Sequence, residues 1–153
     1  MSNYLNKTSI KNFFLVIIIF LLDRVSKFYV ILLSEKNLSY NLFESEFLNI
    51  SLIWNEGIAF GLLSFDEKYI YNLLTILIMI LVIVIFFMIL KNEGFKKFSL
   101  LLIFGGALGN LYDRIFYKAV PDFIDFHIGN FHWFIFNVSD IFITTGVLLL
   151  IFL

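Results

Sequence analysis

The sequence contains no cysteine, which excludes a disulfide, a thiolate nucleophile and a zinc-thiolate site. Proline occurs once, at Pro121, and only 15% of the residues are charged. The 11 basic side chains are offset by 12 acidic ones, giving a formal net charge of -1 and no cationic excess to follow a nucleic-acid backbone. Neither GxSxG nor a phosphate-binding P-loop is present, and His127 and His132, without an HExxH pattern, do not have metal-ligand spacing. No cofactor, metal or nucleic acid is therefore expected. What the chain has in abundance is hydrocarbon: 61% of its 153 residues are hydrophobic, and the mean hydropathy is +0.95. That composition lies outside the range of soluble domains and reads as an integral membrane protein.

Four stretches approach the ~20 apolar residues that a hydrocarbon core requires. They are residues 13–33, 71–90, 98–116 and 137–153, the last being short. The first resembles a signal-peptide core, but it continues through "DRVSK" into "FYVILL" without a small-residue cleavage site, and is read as an uncleaved span. Lys7 and Lys11 precede span one, and Lys91, Lys96 and Lys97 separate spans two and three. The 34–70 segment is instead dominated by acids. This bias places both termini in the cytoplasm and segments 34–70 and 117–136 outside. In the first outer segment Leu48, Ile50, Leu52 and Trp54 alternate with Asn49, Ser51 and Ile53, a strand pattern that predicts a small outer sheet over about residues 38–63. Ser64 and Glu67 form a capping box at the start of span two. With no repeat or linker, residues 1–153 are expected to form one α-helical membrane domain of four transmembrane helices with a small extracytoplasmic β-sheet.

Polar residues in lipid-facing sequence mark candidate functional positions. Asp23 is ~15 Å along the helix from Phe13, near mid-bilayer, where an ionised group must face the interior and be paired. Lys27, four residues on, can pair with it, while Arg24 is free to snorkel or bind a lipid headgroup. In "GGALGNLYDR" Gly105 and Gly109 are spaced for close helix packing. Asn110, Asp113 and Arg114 form a polar group in which Asp113 and Arg114 can neutralise each other or neighbours. Asn137 and Asp140 share a face at the start of span four, and Asp140 has no cation within four positions. Asp122 is also unpaired, because Pro121 breaks the helix that would bring Lys118 to it. The "VPDFIDF" segment then runs extended, sending Asp122 and Asp125 to opposite sides, with Asp125 toward water or sheet. Asp122 and Asp140 come to similar depth without local counterions. Two such carboxylates in a dry site hold one proton between them and can activate water against a carbonyl. Spacing alone leaves open an intramembrane proton or ion site, and with it a four-span proton-coupled transporter that uses Asp23 as its acid.

Five blocks, "LDRVSK", "WNEGIAFG", "GGALGNLYDR", "VPDFIDF" and "FNVSD", occur in order over nearly the whole chain. Together they resemble the lipoprotein signal peptidases, or signal peptidase II. The resemblance implies an aspartic endopeptidase of the bacterial cytoplasmic membrane, with its site near the outer leaflet. It implies cleavage of signal peptides from prolipoproteins just before a cysteine that carries diacylglycerol. It places the catalytic aspartates on Asp122 and Asp140. Asn55 and Arg114 are placed to hold substrate, and Gly57, Asn110, Asp113, Asn137, Asp23 and Lys27 shape the site. The implied partners are a diacylglyceryl-prolipoprotein, membrane lipid and globomycin-type inhibitors, with the protein acting as a monomer. Two positions depart from the family pattern: Pro121 stands where an apolar residue is usual, and Ser139 where Ala is usual. Ser139 is expected to bond back to its own helix or, alternatively, to donate to a carboxylate.

Overall fold

The computed structural model describes residues 2–57 and 67–152. Four helices, α1 (Ser2–Asn37), α2 (Glu67–Lys91), α3 (Gly94–Phe116) and α4 (Val138–Ile151), combine with four strands. The strands β1 (Asn41–Phe43), β2 (Leu48–Asn55), β3 (Val120–Ile128) and β4 (Phe131–His132) form one antiparallel sheet in the order β1-β2-β3-β4. The alternating segment at 48–54 is thus a strand. The sheet extends beyond residues 38–63, because the segment after α3 supplies two of its strands. Pro121 begins this change: it cannot donate to a helix, and as the second residue of β3 it lies opposite Trp54 of β2. The proposed capping serine, Ser64, and residues 58–66 of the expected outer segment lie outside the described residues.

Helix α3 packs against each of the other helices. Its glycines set the spacing. A Cβ on Gly106 would lie 2.5 Å from the Ser139 carbonyl oxygen, and one on Gly146 of α4 would lie 2.6 Å from the Ser99 carbonyl oxygen. The backbones of α3 and α4 can approach this closely only with hydrogen at those positions. Gly105 instead meets Ile19 of α1, and Gly109 meets both Ser139 and Asp23. Ile89, Leu100 and Leu101 fill the space between α2 and α3. Val30, Leu52 and Phe123 join α1 to the sheet, fixing the sheet over one end of the bundle.

Among the described helices, Tyr71–Lys91 is long and apolar enough to cross a membrane, with a mean hydropathy of 3.5. The apolar runs of α1 and α3 are interrupted by charged residues, and α4 has 14 residues, so by length and composition alone α2 is the helix that qualifies as a span among the described residues. The outer faces are nevertheless apolar on more than one helix: Phe13 and Val25 of α1 and Leu73 and Phe87 of α2 are all more than half exposed.

Candidate active site

The charges that interrupt α1 are folded inward. Asp23 and Asp113 are 0% exposed and Lys27 is 1% exposed. Lys27 Nζ lies 2.8 Å from Asp23 Oδ1, the helical pair that the spacing predicts. It also lies 2.6 Å from Asp113 Oδ2 and donates to Asn110 Oδ1 at 2.9 Å. Arg24 does not snorkel outward. Its Nη1 donates to Asp113 Oδ1 at 2.5 Å and its Nη2 to Asp23 Oδ2 at 2.5 Å. The guanidinium sits 4.7 Å from the centre of the Tyr112 ring and 5.7 Å from that of Phe20. Asp113 is therefore neutralised from α1, by Arg24 and Lys27, and among the described residues it forms no ion pair with Arg114. Two carboxylates and two cations balance in this cluster.

Asp122 and Asp140 are held differently. Asn137 is the N-cap of α4: its side-chain oxygen accepts from Asp140 N at 3.2 Å, while its own backbone N donates to Asp140 Oδ2 at 3.1 Å. This is a capping box with an acid at the third position. The same Asn137 donates from Nδ2 to Asp122 Oδ1 at 2.6 Å, so one residue touches both carboxylates. Asn55 Nδ2 donates to Asp122 Oδ2 at 2.8 Å. Its amide is oriented by Gly57, whose N donates to Asn55 Oδ1 at 2.7 Å. That short turn needs φ +76 at Gly57, a conformation glycine adopts without strain. Asn110 Nδ2 completes the set, donating to Asp140 Oδ1 at 2.8 Å.

All four oxygens of this pair thus accept from amide N–H groups. Among the described residues neither carboxylate forms an ion pair. Burial pushes the Asp122 carboxyl above the ordinary aspartate value; the amide donors of Asn55 and Asn137 oppose that shift, the Asp140 charge adds to it, and Lys27 opposes it at longer range. Such a pair can hold one proton, with one member accepting a proton from water and the other donating to a carbonyl oxygen. Beside Asp140 a cavity of about 620 Å³ opens, lined by Phe126, Phe131, Trp133, Phe134, Ile141 and Thr144 among others. Arg114 Nη1 donates to the Asn110 carbonyl at 3.3 Å, while its buried Nε has no partner among the described residues.

Of the two surroundings expected for Asp125, water or sheet, the structure shows the sheet, with the residue 5% exposed. It lies between Asn49 Nδ2 at 3.3 Å and His132 Nδ1 at 2.8 Å. Ser139 neither bonds back to its helix nor donates to a carboxylate: its Oγ is buried without a partner among the described residues. Its backbone N instead donates to Asp23 Oδ1 at 3.1 Å, so Asp23 takes one of the free first-turn amides of α4. The residues missed by sequence reasoning are Arg24 as the partner of Asp113, and Tyr71, whose hydroxyl donates to the Arg114 carbonyl at 2.9 Å.

The sequence profile described as Signal peptidase (SPase) II matches residues 15–153. A lipoprotein signal peptidase of Pelagibacter ubique is 52% identical over 151 residues, covering 96% of this chain and 91% of that protein. One from Aquifex aeolicus is 39% identical over 153 residues, covering 99% of this chain and 89% of that protein. Two solved structures of bacterial membrane enzymes obtained by the in meso method superpose with TM-scores of 0.76 and 0.74, at 32% and 30% identity. Each covers 93% of this chain, and the chain covers 90% and 85% of them respectively. The buried charges, the amide-held carboxylates and the sheet over them therefore belong to a peptidase fold, and the chain is a member of the signal peptidase II family.

Proposed function

We propose that this protein is an aspartic endopeptidase that removes signal peptides from diacylglyceryl-modified prolipoproteins, cutting just before the lipid-modified cysteine. The observation that carries the proposal is the double engagement of Asn137, which ties Asp122 on β3 and Asp140 on α4 into one neutral-donor network. Asp122 and Asp140 share a proton: the ionised member takes a proton from water as the water attacks the scissile carbonyl, and the protonated member hydrogen-bonds that carbonyl oxygen. The proton belongs to the pair and is not assigned to one residue. Asn55 and Arg114 hold the substrate backbone; the buried Arg114 Nε has no partner among the described residues. Asn110, Asp113, Asn137, Asp23, Lys27 and Gly57 shape the site.

In this account residues 1–153 form one domain with four spans in the bacterial cytoplasmic membrane, both termini inside and the site near the outer leaflet. The apolar exteriors of α1 and α2 and the mutual neutralisation of the charges in α1 and α3 support that placement. The protein acts as a monomer, and globomycin-type peptides inhibit it by occupying the cleft. A proton-coupled transporter using Asp23 finds less support, because both Asp23 oxygens are engaged by Arg24, Lys27 and Ser139 N.

The test uses protein purified in detergent with one precursor, with and without diacylglycerol on its cysteine, and mass analysis of the products. The expected result is cleavage of the modified precursor alone, at the bond before the cysteine. Cleavage independent of the lipid, or no cleavage together with Asp23-dependent solute flux in vesicles, would overturn the proposal.

A further inference from the structure

Arg24 is the residue whose placement exceeds what packing requires. Its guanidinium makes five donor contacts: Nε to Asp23 Oδ2 at 3.2 Å, Nη2 to the same oxygen at 2.5 Å, Nη1 to Asp113 Oδ1 at 2.5 Å, Nη2 to Asp113 Oδ2 at 2.8 Å, and Nη2 to the Gly109 carbonyl at 3.3 Å. The fork across Asp113 is bidentate, a geometry that an ammonium cannot reproduce. Tyr112 and Phe20 wall the guanidinium, leaving the side chain 17% exposed.

The consequence lies at Lys27. Its ammonium donates to Asp113 Oδ2 and Asn110 Oδ1 and forms an ion pair with Asp23 Oδ1. This division is possible because Arg24 already shares the charge of both carboxylates. Without Arg24, two buried anions would compete for one ammonium, and the neutral Asn110 carbonyl would be the weakest of its partners. Asn110 is the link to the site, since its oxygen is held by Lys27 while its Nδ2 donates to Asp140 Oδ1 at 2.8 Å. A loosened Asn110 oxygen leaves the amide free to turn, and Asp140 then loses the donor on one of its two oxygens.

We propose that Arg24 is a positioning residue for the peptidase reaction, fixing the orientation of Asp140 through Asp113, Lys27 and Asn110. The inference rests on the endopeptidase function proposed above. It does not require Arg24 to touch substrate. Fixed polar chains of this kind lose more than the sum of their pairwise bonds when one member is removed, and coupling between members is read by a double-mutant cycle.

The experiment measures kcat and KM for cleavage of the lipid-modified precursor by wild type, Arg24→Gln, Asn110→Ala and the double variant, with thermal unfolding of each in the same detergent. Arg24→Gln is expected to lower kcat about tenfold with KM changed less than about twofold, and to lower kcat less than about twofold when Asn110 is already Ala. A merely structural role would reduce activity by the same factor in both backgrounds. Arg24→Lys, which keeps the charge but loses the fork, should fall between wild type and Arg24→Gln. If Arg24→Gln does not fold, the same cycle is run with Arg24→Lys and the same coupling is expected. Equal factors in the two backgrounds, or wild-type kcat in Arg24→Gln, would overturn the positioning role while leaving the endopeptidase function intact. Absence of cleavage by the wild-type protein would overturn both.

Discussion

The protein holds two pairs of aspartates in two different ways. Asp23 and Asp113 face Arg24 and Lys27, so their charge is cancelled where it is made. Among the described residues, Asp122 and Asp140 accept from amides alone, those of Asn55, Asn110 and Asn137. A guanidinium and an ammonium balance the charge of the carboxylates they hold, whereas neutral donors position a carboxylate without cancelling its charge. The first arrangement suits structure, and the second suits proton transfer. The difference also explains how charges can exist deep in an apolar bundle: the cluster is balanced internally, leaving the amide-held pair at the junction of sheet and helix.

The largest break in this comparison should come from the ionic side. Lys27→Met leaves Asp23 and Asp113 buried with one cation, and should cost about 3–5 kcal/mol of stability. Thermal or denaturant unfolding in detergent would register it as loss of the folded population. Asn137→Ala attacks the other side. Removal of the cap should cost about 1 kcal/mol, while loss of the Nδ2 donor to Asp122 should lower kcat ~100-fold; stability and cleavage measured on one sample would separate the two effects.

A smaller signature is the pH dependence of stability. Because Asp122 is held above its ordinary value of 3.8, the folded state binds that proton more tightly than the unfolded chain. Its contribution is therefore fully present below the ordinary value and is lost as the pH rises through the raised one. The unfolding temperature of wild type should fall relative to that of Asp122→Asn across this interval. The smallest effect is expected at Ser139, whose buried Oγ has no partner among the described residues. Ser139→Ala should raise stability by about 1 kcal/mol, with cleavage unchanged.

Much of this arrangement was legible in the sequence where the determining interaction is local. The Asp23–Lys27 pair follows from helical spacing, the β2 strand from alternation, and the extended path at Asp122 from Pro121. Long-range partners were not legible. Arg24 could reach lipid or Asp113 equally well on local grounds, and only the packing of α1 on α3 across 89 positions decides. Asn137 was readable as a neighbour of Asp140, but not as the residue that also reaches Asp122, because that bond depends on the path of the chain between β3 and α4. Asp125 was assigned to water or sheet; its burial results from Asn49 and His132 on the two neighbouring strands.

The most direct measurement compares Asp122→Asn and Asp140→Asn with wild type for three properties of one detergent preparation: unfolding temperature, binding of a diacylglyceryl-modified precursor, and its cleavage in a single turnover. The account predicts folded variants that bind the precursor and cleave it about 1,000-fold more slowly or not at all. Cleavage near the wild-type rate by either folded variant would contradict it.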